Sequence, residues 1–202
     1  MSKGNTQETK PKISVQDGHF IDNKGRTCIL RGINLGGSSK IPSNYNQFRS
    51  NSFLDKNVTF VNRPFPLQDA HEHFNRLKHL WGIQFIRLIV TWEAIEHSGP
   101  GIFDTDYLSY IRQLIKIANE YDLLIYIDPH QDVWSRFTGG DGAPLWTLEC
   151  IGFDCKNFDL TKAAISVENS RCKNVFDFPT MIWPTNCEYL QIKNMLLLNR
   201  KG

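Results

Sequence analysis

At 202 residues and 41% hydrophobic composition, the chain is long enough to bury a sizeable core and too apolar overall for a disordered polymer. A formal net charge of +2, with no lysine or arginine stripe, argues against a nucleic-acid partner. The polar amino terminus lacks the apolar centre of a secretory signal and no segment approaches the roughly 20 apolar residues of a membrane span, so a cytoplasmic protein is expected.

Residues 1–11 read as a disordered lead. Ile13-Ser14-Val15, His19-Phe20-Ile21 and Thr27-Cys28-Ile29-Leu30 then alternate around turns at Gln16-Asp17-Gly18 and Asn23-Lys24-Gly25, a small β-hairpin unit leading into a core strand at Leu30 to Leu35. Gly36 to Phe65 is polar, rich in Ser and Asn, and reads as a long binding loop. Leu67, Phe74, Leu77, Leu80 and Trp81 fall at helical spacing, with Asp69 and Glu72 in early turns and Gly82 as the stop. Ile83 to Val90 is a second apolar strand. Asp106 to Tyr121 is a second amphipathic helix with Tyr107, Tyr110, Ile111, Leu114, Ile115 and Ala118 inward. A third strand follows from Leu123 and ends near Asp128.

This order of strand and helix is the βαβ alternation of a parallel sheet with right-handed crossovers. Two α/β architectures satisfy it, a doubly wound sheet and a (β/α)8 barrel. Gly32-Ile33-Asn34-Leu35-Gly36-Gly37 does not fit the glycine fingerprint of the first, so the barrel, incomplete at about three βα units, is the expected fold.

In a barrel the chemistry gathers at the carboxyl ends of the strands. The run from Leu123 to Arg136 ends in Asp128, His130, Gln131, Asp132, Trp134 and Arg136, a density of polar and aromatic groups that a mere connector would have to satisfy internally. With Asn34 and Lys40 after the first strand, and Arg87 and Trp92 at the second, these form one candidate site. Aromatic faces cover the C–H surface of a sugar ring while Asp, His, Asn and Lys bond its hydroxyls, so a neutral polyhydroxylated ligand is expected. Glu93 and Glu96 are rival candidates for chemistry, with structural hydrogen bonding or solvation as their plainer reading. The five cysteines are an odd number in a chain without an export signal, and the Cys150 to Cys155 spacing does not suit a zinc knuckle. Free thiols, no metal and no cofactor are expected.

Leu30-Arg31-Gly32-Ile33-Asn34-Leu35, Ile86-Arg87-Leu88, Thr91-Trp92-Glu93 with Gly99-Pro100-Gly101, Asp128 to Arg136, and Gly142-Ala143-Pro144-Leu145-Trp146-Thr147 occur in an order that resembles glycoside hydrolase family 5. With the long polar loop and Met181-Ile182-Trp183-Pro184-Thr185-Asn186, the resemblance narrows to the endoglycoceramidase-related branch that holds fungal steryl β-glucosidases and glucosylceramidases. It implies a retaining β-glucosidase acting on steryl glucoside or glucosylceramide. It also implies a glucosylated lipid as substrate, with peripheral membrane contact through it. Carried over, Arg87 orients the nucleophilic carboxylate and holds it ionised, and His130, Asp132 and Lys40 bond glucose hydroxyls. Trp92 and Trp134 stand between sugar platform and packing, and Trp146 and Trp183 are taken as packing.

The family's two catalytic glutamates are not found. Asn119-Glu120 sits at a helix end and no Asn-Glu-Pro occurs. About 74 residues follow Asp128, whereas five further units need roughly 150. Residues 12–186 are therefore expected to be the amino-terminal part of a hydrolase barrel and 187–202 a divergent tail, in a truncated or frame-shifted product inactive by itself. Pairing with a separate carboxyl-terminal half, and a non-catalytic carbohydrate-binding or interaction role, remain the alternatives. An open half-sheet would also expose apolar edges and favour association.

Overall fold

The computed structural model describes residues 13–44 and 54–164. The lead, the segment around Trp183 and the tail lie outside these residues. β1 (Ser14–Gln16) and β2 (His19–Ile21) pair antiparallel with Val15 opposite Phe20. Their turn places both Asp17 and Gly18 at positive φ, 50° and 76°, the pattern of the mirror-image turns whose twist matches a hairpin. Asp22 closes the next turn by accepting N–H bonds from Lys24 at 2.8 Å and Arg26 at 2.9 Å. This ribbon stays largely exposed, outside the main core.

The main sheet has three parallel strands in the order β3 (Gly32–Leu35), β4 (Phe85–Thr91), β5 (Leu124–His130). Asn34 stands opposite Arg87, Arg87 opposite Tyr126, and Thr91 opposite His130. Gly32 is required by this pairing, because a Cβ there would lie 2.0 Å from the Phe85 carbonyl oxygen. Parallel connections are made by α1 (Leu67–Asn75) and α3 (Thr105–Glu120). The α3 amino terminus is capped by Asp104, which accepts the Tyr107 N–H at 2.8 Å.

Alternation along the strands sorts the side chains into two faces. Ile86, Leu88 and Val90 of β4 are buried with Phe74 and Leu77 and with Tyr107, Tyr110, Ile111, Leu114 and Ala118 of α3. The amphipathic spacing of α3 thus buries the side it predicts, with Ile115 partly covered. Register places Asn34, Arg87, Ile89, Thr91, Tyr126, Asp128 and His130 together on the opposite face, where a barrel keeps its interior.

The structure departs from the sequence-based expectation in three places. The helix expected over Leu67 to Trp81 ends its α-helical part at Asn75 and continues as a π-helical turn, Arg76–Leu80. The wider turn, with Trp81 N–H bonded to the Arg76 carbonyl at 3.0 Å, rotates Leu80 and Trp81 off the core and leaves them exposed. The segment read as a polar binding loop also sends Val58 and Phe60 into the core, where Phe60 meets the Tyr107 ring edge-on at 6.2 Å. The third strand does not end near Asp128 but runs on to His130. Pro129 is tolerated because β5 is paired on one side only among the described residues, so its missing N–H breaks no ladder. On that outer strand Tyr126 and Ile127 are about half exposed, at 52% and 46%. Among the described residues no helix is long and apolar enough to cross a membrane.

Candidate active-site wall

The polar groups on the open face form a continuous chain of contacts. Arg87 Nη2 lies 2.6 Å from Asp128 Oδ2, and its Nη1 donates to Asn34 Oδ1 at 3.3 Å. His130 Nδ1 is 2.8 Å from the same Asp128 oxygen and 3.2 Å from Arg87 Nη2. On the other side of the ring, Nε2 lies 3.3 Å from Asp141 Oδ1. Lys40 Nζ is 3.1 Å from Asp141 Oδ2. Arg87, Asp128 and His130 come from two strands, Lys40 from the 3-10 turn after β3 (Gly37–Lys40), and Asp141 from the loop after β5.

Asp141 is the most deeply set member, 1% exposed. Burial pushes its carboxyl above the usual carboxylate range, while Lys40 and His130 pull it down and Asp132 adds to the rise. Its position follows from the loop's own hydrogen bonding. Asp132 and Asp141 exchange both backbone N–H···O bonds at 2.8 Å, a one-pair bridge that returns the chain beneath itself. Gly140 makes that return possible, because a Cβ there would lie 1.9 Å from the Asp132 carbonyl oxygen. The loop also holds Val133 and Trp134 at positive φ, 43° and 69°. Such backbone strain costs of order 1–3 kcal/mol per residue and persists where surroundings over-determine it. Here Ala143 N–H donates to the Trp134 carbonyl at 2.8 Å, Ser135 Oγ donates to the Ala143 carbonyl at 2.7 Å, and Trp134 Nε1 donates to Thr147 Oγ1 at 3.0 Å.

The tryptophans stand at the rim. Trp92 opens α2 (Trp92–Glu96), whose amino terminus Thr91 caps by accepting the Ala94 N–H at 3.3 Å. Its ring meets Trp146 edge-on at 5.3 Å, and its Nε1 donates to Glu96 at 2.5 Å. Trp146, on α4 (Leu145–Cys150), donates to the Glu96 carbonyl at 2.8 Å. Trp92 and Trp134 nonetheless keep 42% and 39% of their surface exposed.

The structure brings Lys40, Arg87 and His130 into one network. Asp132 lies at its edge, exposed, joined through its backbone to Asp141. Sequence reasoning missed Asp141, although an aspartate flanked by Gly140 and Gly142 is the signal of a side chain carried on a tight return. The rival glutamates both have structural partners. Glu93 is buried and accepts Arg136 Nε at 2.8 and 3.0 Å on its two oxygens, with Arg136 Nη2 also donating to the Asp55 carbonyl at 3.2 Å. Glu96 accepts from Trp92 and from the Gly101 N–H, contacts that hold its carboxyl below the usual range.

Residues 43–163 match the family model for cellulase, glycosyl hydrolase family 5. A glucosylceramidase of Rhizopus delemar is 50% identical over 89% of this chain and 27% of its own length. The ergosteryl-beta-glucosidase of Saccharomyces cerevisiae is 43% identical over 93% of this chain and 27% of its own length. The crystal structure of Cryptococcus neoformans sterylglucosidase 1 is 42% identical and superposes with a TM-score of 0.71, over 83% of this chain and 24% of that one. The chain thus spans about a quarter of the length of these relatives. The three-stranded parallel sheet, its connecting helices and this likeness imply a partial TIM-barrel fold, not a full barrel among the described residues. The chain belongs to glycosyl hydrolase family 5.

Proposed function

We propose that this chain supplies the amino-terminal wall of the glucose site in a retaining β-glucosidase that acts on steryl glucoside or glucosylceramide. The observation that carries the reading is the convergence of Asn34, Arg87, Asp128 and His130 on one face of three parallel strands, with His130 at the carboxyl end of β5 and Arg87 within β4. It occurs in a chain 50% identical to a glucosylceramidase. Retaining hydrolysis needs two carboxyl groups about 5–5.5 Å apart, one as acid and base and one as nucleophile. In this reading both glutamates lie outside residues 1–202, on a continuous or a paired chain. Arg87 faces the nucleophile and favours its ionised form, since a guanidinium beside a carboxylate lowers its pKa. Asp132 and Lys40 bond glucose hydroxyls, His130 completes that polar rim, and Trp92 and Trp134 cover the sugar's apolar faces. The lipid aglycone brings the protein to a membrane surface from the cytoplasm.

The test is a chimera in which this chain replaces the matching quarter of the Rhizopus delemar glucosylceramidase. Glucose release is measured from glucosylceramide and from ergosteryl β-glucoside. The chimera is expected to hydrolyse at least one of them, and Arg87→Met to lower kcat by about 10²–10³. A folded chimera that binds glucoside without turnover would favour the non-catalytic reading.

A further inference from the structure

The contact between His130 and Asp141 has an internal logic that the sugar-binding reading does not use. His130 Nε2 and Asp141 Oδ1 are both sealed from solvent and lie 3.3 Å apart. At the other ring nitrogen, Nδ1 is 2.8 Å from Asp128 Oδ2 and 3.2 Å from Arg87 Nη2. A bare Nδ1 at 2.8 Å from a carboxylate would set two acceptors against each other, and the same carboxylate oxygen already receives Arg87 at 2.6 Å. The shorter contact therefore assigns a hydrogen to Nδ1. A neutral ring then presents the Nε2 lone pair to Asp141. Two buried acceptors facing each other are costly, because neither can turn to water. One more proton must lie on that side, either on Nε2 or on Asp141.

We propose that Asp141 is a positioning residue that retains one proton between its carboxyl and His130 Nε2, and thereby locks the His130 ring and the Lys40 ammonium against the wall. The charged groups facing this pair pull in both directions: Lys40 and His130 favour an ionised Asp141, whereas burial and Asp132 favour the retained proton. Lys40 reaches the second Asp141 oxygen at 3.1 Å from the turn after β3, Arg87 on β4 and Asp128 on β5 bracket Nδ1, and exposed Asp132 adds negative charge from the loop. Burial raises the Asp141 carboxyl in the same direction. An asparagine would reproduce the protonated arrangement, its amide donating to Nε2 and its oxygen accepting from Lys40. A leucine would reproduce neither. The consequence for glucose binding rests on the proposed function, whereas the proton itself does not.

The experiment has two arms. In the chain labelled with 15N-histidine and 13C-aspartate, with His130→Gln for assignment, the His130 nitrogens and the Asp141 carboxyl are followed from pH 5 to 10. The expected result is a hydrogen on Nδ1 throughout and a second proton on the Nε2 side that leaves in one step on raising the pH, a step missing in Asp141→Asn. A bare Nδ1 beside a protonated Nε2, or an unchanged step in Asp141→Asn, overturns the proposal. In the chimera, Asp141→Leu is expected to lower kcat/KM about 100-fold, the scale of misplacing a positioning group. Asp141→Asn is expected to hold kcat/KM within about 5-fold and to shift the alkaline limb of its pH profile. Wild-type kcat/KM in Asp141→Leu overturns the positioning role. An inactive wild-type chimera strikes the proposed function instead, and the spectroscopic arm still decides the proton.

Discussion

Replacing Arg136 by methionine tests whether the loop after β5 is clamped to α2 by a buried ion pair. Arg136 and Glu93 are 4% and 3% exposed, joined at 2.8 and 3.0 Å, and the guanidinium lies 4.0 Å over the Phe137 ring. Methionine keeps most of the stem and removes the charge. The carboxylate left behind is already pushed above its ordinary pKa by burial, with Arg136 the main opposing influence. Without that influence it escapes by taking a proton. At pH 7 protonating a carboxyl of ordinary pKa about 4.3 costs about 3.7 kcal/mol, which agrees with the roughly 3–5 kcal/mol for breaking buried pairs. A carboxyl whose folded pKa is raised loses stability as pH climbs above its unfolded value, so the deficit grows with pH. At pH 5 the same step costs about 1 kcal/mol. Urea denaturation of the chain and of Arg136→Met, followed by tryptophan fluorescence at pH 5 and 7, should therefore show the deficit shrinking by about 2.7 kcal/mol on acidification. Combining Arg136→Met with Glu93→Leu should recover most of the loss, because a well-packed apolar pair is often as stable as the ion pair it replaces. A deficit that is independent of pH, or below about 1 kcal/mol at pH 7, would refute the clamp.

Two further outcomes are expected from groups away from the sheet. Cys155 is partly buried and its thiol is pushed up to about 11, first by burial and then by Glu149 and Asp154. Iodoacetamide at pH 8 should accordingly label exposed Cys150 well before Cys155, as read by peptide mass; equal labelling would contradict this burial. The Asp22 carboxyl is lowered to about 2, chiefly by the Arg26 backbone N–H and then its side chain. A depressed carboxyl stabilises the turn above its unfolded pKa of about 4 and loses that support as pH falls towards 2. Protection of the Lys24 and Arg26 amides from exchange, taken relative to their intrinsic rates, should fall over that window, and Asp22→Asn should remove most of the pH dependence.

The strand register and the loop return together explain how a wall of charge forms from residues far apart in sequence. Asn34 and His130 are joined through Arg87, whose guanidinium on the central strand reaches a neighbour on each side of it on one face of the sheet. Lys40 and Asp141 meet because the connections after β3 and β5 bring the two side chains within 3.1 Å. Arg87 reaches across from β4 to Asp128 and His130 on β5, and Asp141 in the loop meets both His130 and Lys40, so the loops are tied to the sheet by the network they carry.

Much of this was legible in the chain alone, for a physical reason. Helical and strand periodicity is local, so the alternation of β and α, the inward face of α3 and the grouping of polar residues after each strand can be read along the sequence. Lys40, His130, Trp92 and Trp134 stand out in the same way, as polar and aromatic residues after apolar runs, whereas Arg87, expected at the end of the second strand, lies inside β4. Contacts between distant segments leave no such trace. The π-helical turn that ejects Leu80 and Trp81, the entry of Phe60 into the core and the continuation of β5 through Pro129 each depend on what packs or pairs alongside. Glu93 could not be told from a solvated carboxylate until Arg136 arrived from 43 positions away. Asp141 became a site residue only when the Gly140 return placed it between a strand's histidine and a turn's lysine. Local spacing determines which elements form, and the pairing of buried charges across elements is decided by tertiary structure, because only there does desolvation make each charge require its partner.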